Sequence, residues 1–98
     1  MADKIISTKQ QSLAEIRQWD FDFTADLVTG VTVESAEAVH IPPRGGTAST
    51  PEVGTISNNI VPVQLGPLSE KGWHTLKVLA TLSDDEVSEL RVRIPVNF

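Results

Sequence analysis

Apolar side chains recur at every second position in several stretches of this chain, and that period constrains its fold more than any other feature. In Gln18-Trp19-Asp20-Phe21-Asp22-Phe23-Thr24, three of the five aromatic residues share one parity while Asp20, Asp22 and Thr24 share the other. Successive side chains of a strand point to opposite faces, so the stretch predicts a half-buried strand with Trp19, Phe21 and Phe23 as its inward row. The last segment repeats the pattern, with Leu90, Val92, Ile94 and Val96 alternating against Glu89, Arg91 and Arg93. Trp73 to Leu82 does the same, with Leu76, Val78, Ala80 and Leu82 inward, Thr75, Lys77 and Thr81 outward, and Leu79 the exception.

Between these lie shorter signals. Val31 to Ile41 predicts a strand with Val31, Val33, Val39 and Ile41 on the apolar parity and Glu34 and His40 opposite. Ser35 and Glu37 on the apolar parity point to a bulge or to two shorter strands. Val53 to Ser57 and Ile60 to Leu65 form two runs around Asn58-Asn59, residues that tolerate the positive φ of a tight turn. Pro62 lacks a ladder donor and predicts an edge strand, or one unpaired on the Pro62 side. Pro42 to Pro51 holds three prolines and two glycines and reads as an exposed, mobile loop. Ser12-Leu13-Ala14-Glu15 has the capping-box spacing but leaves room for one helical turn at most before Trp19.

These signals describe an all-β fold, a sandwich or small barrel of five to seven short strands. At 98 residues the chain forms one domain. Residues 1–13 read as an extended N-terminal arm and 14–98 as a single sandwich domain. The segment from Met1 to Lys9 lacks the apolar core of a signal peptide, and no run approaches the ~20 apolar residues that span a bilayer, which predicts a soluble protein made in a cytoplasm with no membrane partner. Thirteen acidic against eight basic residues give a net charge of −5, which repels a phosphate backbone and predicts no nucleic-acid partner. With no cysteine, thiolate metal sites and thiol nucleophiles are excluded.

The residues that carry chemistry elsewhere have plainer roles in this sequence. Asp20 and Asp22 share one strand face, but a calcium site needs about six or more oxygen ligands and nothing continues the pattern, so they read as a solvated face. His40 and His74 have no His or Cys at ligand spacing and read as surface histidines. Gly45-Gly46-Thr47 lacks the lysine and following helix of a phosphate loop. Asp84-Asp85-Glu86 reads as a solvated hairpin tip. No Ser-His-acid elbow is present, so we expect no enzyme, no catalytic residue, no metal and no cofactor. Trp73 reads as a plug sealing one end of the core, although its parity opposes that of Leu76; the alternative is an exposed anchor for a partner or a sugar ring.

The opening Leu13, Glu15, Ile16, Trp19, Phe21-Asp22-Phe23-Thr24, Leu27, Gly30-Val31-Thr32-Val33, Ser35-Ala36 resembles that of small immunoglobulin-like proteins encoded among the virion genes of tailed bacteriophages. The closing Gly72-Trp73-His74-Thr75-Leu76-Lys77-Val78, Ala80-Thr81, Glu89-Leu90-Arg91-Val92, Ile94 and Val96 is similar to their last two strands. Phe23 replaces their usual Trp, and the proline-rich loop is longer than theirs. The resemblance implies an immunoglobulin-like antiparallel sandwich of about seven strands. It also implies a structural role, a capsid decoration or cement protein on the virion surface that bridges neighbouring coat subunits, with the major capsid protein and copies of itself as partners. The alternative is an adhesion or ligand-binding module on a phage tail or neck or on a cell surface. The expected partner contacts are Ile5, Ile6, Pro42, Pro43, Arg44, Pro51 and Phe98, and the expected core is Trp19, Phe21, Phe23, Leu76, Val78, Leu90, Val92 and Ile94.

Overall fold

A computed structural model describes residues 11–96 of the chain. Its strands are β1 (Arg17–Asp22), β2 (Val33–Ile41), β3 (Glu52–Val53), β4 (Ile60–Leu65), β5 (Gly72–Leu82) and β6 (Val87–Val96). They form two three-stranded sheets, ordered β1-β4-β3 and β2-β5-β6, with every strand pairing antiparallel. The inner faces of both sheets contribute to one hydrophobic core, so the fold is all-β and sandwich-like.

The alternation in β1 buries Trp19, Phe21 and Phe23 and leaves Asp20 and Asp22 exposed. The Asp22 carboxylate ends the strand by accepting the Thr24 N–H (2.9 Å), and a 3-10 turn over Thr24–Asp26 follows. From the second sheet, Leu76 and Val78 of β5 and Leu90, Val92 and Ile94 of β6 meet that row, all essentially solvent-free. Each such side chain stabilises the fold by about 1.5–3 kcal/mol when fully buried. Asn58 and Asn59 both take positive φ (52° and 64°), giving a two-residue turn closed by reciprocal bonds between Ser57 and Ile60. Asn59 also ties the sheets together: its carbonyl accepts the Phe23 N–H and its Oδ1 accepts the Val33 N–H.

Four local expectations take a narrower or different form. In β2 the register steps from Val33↔Leu82 to Ser35↔Thr81, so Glu34 is the extra residue of a bulge. One inserted residue reverses every later side chain. Ala36, Ala38 and His40 therefore turn inward, and Val39 and Ile41, expected in the core, are exposed. Pro62 lies on the middle strand of its sheet and not at an edge, so of the two expected arrangements it is the strand unpaired on its Pro62 side that holds. Its carbonyl accepts the Gly54 N–H (2.8 Å), so its missing donor faces the same side, where the β3 ladder stops after two residues. That strand is accordingly Glu52–Val53 and not a run from Val53 to Ser57. Residues 12–15 make a turn and no helix; the Glu15 carboxylate reaches back to the Ser12 N–H (2.7 Å), which is half of a capping box used to close a turn.

The body of the fold reaches back to Gln11, which is buried and makes a parallel bridge to Val96 at the margin of β6. Its side-chain amide donates to the Leu65 carbonyl (2.7 Å) and the Glu15 carbonyl (2.9 Å), while its oxygen accepts the Trp19 indole N–H (3.0 Å). Gly66 makes this junction possible. It has φ +126°, and a Cβ there would collide with the Glu15 backbone carbonyl. Gly66→Ala is therefore expected to cost at least about 2 kcal/mol of stability in urea unfolding, because backbone cannot step aside as a side-chain tip can. A loss below about 0.5 kcal/mol would show that the junction yields.

Candidate functional site

The bulge in β2 creates the most unusual arrangement in the interior. By turning His40 inward, it sets that ring beside His74, which shares the inward parity of Leu76 on β5. The rings stack with centroids 5.0 Å apart and an interplanar angle of 8°. They are 4% and 0% exposed, which corrects the reading of both as surface histidines. His74 could have been placed from its parity; His40 could not, because its burial depends on the bulge.

Three polar contacts satisfy the four ring nitrogens and fix the tautomers. The Ser49 N–H can only donate, so His40 Nδ1 (2.8 Å) is its acceptor and carries no proton. His40 Nε2–H then donates to His74 Nδ1 (2.7 Å), and His74 Nε2–H donates to the Glu70 carbonyl (2.8 Å). Both imidazoles are neutral in this chain. Burial, then the neighbouring His74, push the His40 pKa below its usual value, with Glu70 acting weakly in the opposite sense. Every ring lone pair is engaged, so the pair offers no open metal ligand and no accessible base. Among the described residues no group of three or more His, Asp or Glu is placed to hold a metal ion.

The relay joins two loops. Beyond the Ser49 amide, Ser49 Oγ donates to the Pro67 carbonyl (3.1 Å), and the Thr47 N–H donates to Glu70 Oε1 (3.0 Å). Pro43 lies against Gly72, where a Cβ would meet it at 3.2 Å. The segment 42–51 is thus hydrogen-bonded to 66–72, and it is the expected loop, with Arg44, Gly45, Thr47, Ala48 and Thr50 exposed. Pro42, Pro43 and Pro51 are half-buried and only Arg44 of that group is exposed. Ile5, Ile6 and Phe98, the other expected contacts, lie outside the described residues.

The two outer faces differ in chemistry. Register aligns Glu52, Gln64 and Gln18 across the first sheet, with Asp20 beside Pro62 and Asp22 beside Ile60. This face carries three carboxylates and no lysine or arginine at its outward strand positions, and Gln18, Glu52, Gly54, Thr55, Pro62 and Gln64 line a shallow depression on it. The outer face of the second sheet carries Lys77, Arg91 and Arg93 against Glu37 and Glu89. Four exposed large apolar side chains, Val39, Ile41, Trp73 and Val87, also lie there. Trp73 is 50% exposed, not a core plug, because its parity opposes that of Leu76; the Arg93 guanidinium sits 4.8 Å from the centre of its ring. Arg91 is held by Glu89 at 2.6 Å.

Comparison with known protein-family models and with curated protein sequences finds no match for this chain.

Proposed function

We propose that the chain is an immunoglobulin-like module and a structural protein of a tailed-phage virion, decorating or cementing the capsid by bridging neighbouring coat subunits. The strand order is the observation that carries the reading. Orders β1-β4-β3 and β2-β5-β6 correspond to the B-E-D and C-F-G sheets of the immunoglobulin arrangement, and the parallel bridge of Gln11 to Val96 is where a seventh strand would begin. That arrangement is the one implied by the opening and closing motifs. The outer face around Trp73 and Arg93 adds a surface of the kind that dominates binding energy in interfaces, where Trp and Arg are enriched.

In this role the protein acts by shape and avidity, with many copies held at equivalent junctions. Quantitative mass spectrometry of purified phage particles tests it. We expect this chain at a copy number comparable to that of the coat protein. Its absence from the particles overturns the reading, and a copy number of about one ring moves the protein to the neck or tail.

A further inference from the structure

We infer that the two outer faces of this sandwich are complementary to each other, so that a second copy of the chain docks its Trp73 face onto the carboxylate face of the first. The inference does not depend on the virion reading, since it rests on the sheets alone. The first sheet presents Asp20, Asp22 and Glu52 with no cation at its outward strand positions, around the depression between Glu52, Gln18 and Pro62. The second presents the half-exposed indole of Trp73, with Arg93 stacked on it and, among the described residues, no carboxylate in ion-pair contact with that guanidinium, and with Lys77 further along the same strand. On this face Lys77, Arg91 and Arg93 outnumber Glu37 and Glu89, a small positive excess on a chain of net charge −5 and opposite in sign to the carboxylate face of the first sheet.

Seated together, the indole fills the depression while Arg93 and Lys77 approach Glu52 and Asp20. Overall repulsion between like-charged copies is screened beyond about 8 Å at physiological salt, whereas the contacts inside the interface are not. The contact is heterologous, since one copy's second sheet meets another copy's first. It therefore leaves an unused face at each end and propagates to a ring or an array instead of stopping at a dimer.

A charge-swap experiment decides it. One variant carries Lys77→Glu and Arg93→Glu; the other carries Asp20→Lys and Glu52→Lys, all on outward side chains, with circular dichroism and thermal melts confirming that each folds. By sedimentation equilibrium, the wild-type protein is expected to self-associate at roughly 0.1–1 mM, weakening at least about tenfold between 50 and 500 mM NaCl. Each variant alone is expected to be monomeric, and their equimolar mixture to associate again. A wild-type protein that stays monomeric at low salt overturns the proposal, as does self-association that either variant retains. Folded variants whose mixture remains monomeric overturn it too. A monomeric wild type whose Lys77/Arg93 variant loses its place on phage particles assigns the face to a different partner and also overturns it.

Discussion

Gln11→Ala is expected to lower the unfolding free energy by about 2–4 kcal/mol, a large part of the stability of a domain this size. The side chain is 1% exposed, and its amide completes the hydrogen bonding of two buried groups, the Trp19 indole N–H and the Leu65 carbonyl, and of the part-buried Glu15 carbonyl. Truncation strands the indole donor at a cost of about 1–3 kcal/mol and weakens the two carbonyls by less, because each can accept elsewhere. Trp19→Phe removes the stranded donor, so Gln11→Ala should cost at least about 1 kcal/mol less in that background than in the wild type. Urea unfolding of the four proteins in the cycle measures both quantities. Additive effects would mean that the indole–amide bond contributes nothing, and the account of Gln11 as the clamp between residues 11–15 and the sheet would fail.

The sequence makes some of this fold readable and hides the rest for definite reasons. β1 and β6 have uninterrupted period-two patterns and β5 has one with Leu79 as its single exception, and Trp19, Phe21, Leu76, Val78, Leu90, Val92 and Ile94 are buried where that period places them. β2 carries the same information until Glu34, after which a single inserted residue inverts it; a bulge can be detected from Ser35 and Glu37, but its position sets which of Val39 and His40 is buried. Gln11 leaves no trace, since one glutamine in a polar stretch has no period and its burial is decided by partners 8 and 54 positions away. Trp73 and His74 were both legible, because parity with Leu76 places one outward and the other inward. The position of Trp73 after Gly72 at the head of β5 reads as that of a core plug, yet the face alternation of the strand outweighs it. The loop 42–51 reads as mobile from its prolines and glycines, and what pins it is a histidine relay that exists only once two distant strands pair.

Lowering the pH from about 7.5 to 5 is expected to destabilise the fold and to loosen the 42–51 loop first, through the histidine relay. The sign follows from the hydrogen bonds. His40 Nδ1 faces an N–H that cannot reverse, and the chain of donors ends at a carbonyl that cannot donate, so no arrangement of the two rings accommodates an added proton without setting one donor against another. The folded-state pKa of His40 is accordingly depressed below 6.5, by burial first and by His74 second. The unfolded chain then binds the proton more readily than the folded one. Stability is fully present above about pH 6.5 and falls as the pH drops from there through the depressed folded value. Glu15 and Glu89 are also depressed, through hydrogen bonds to the Ser12 backbone and to Arg91, but their loss belongs to the window below 4.5, so the interval from 6.5 to 5 reads His40. One broken bond in the relay is a change of about 1–3 kcal/mol. Urea unfolding at the two pH values reads the total, and hydrogen exchange at the Ser49 amide, whose acceptor is lost on protonation, reads the loop. Replacing both rings, as His40→Phe with His74→Phe, should flatten the dependence over this interval provided the variant remains folded by circular dichroism. Equal wild-type stability at pH 7.5 and 5, or a ¹⁵N spectrum with His40 Nδ1 protonated at pH 7.5, would refute the neutral relay.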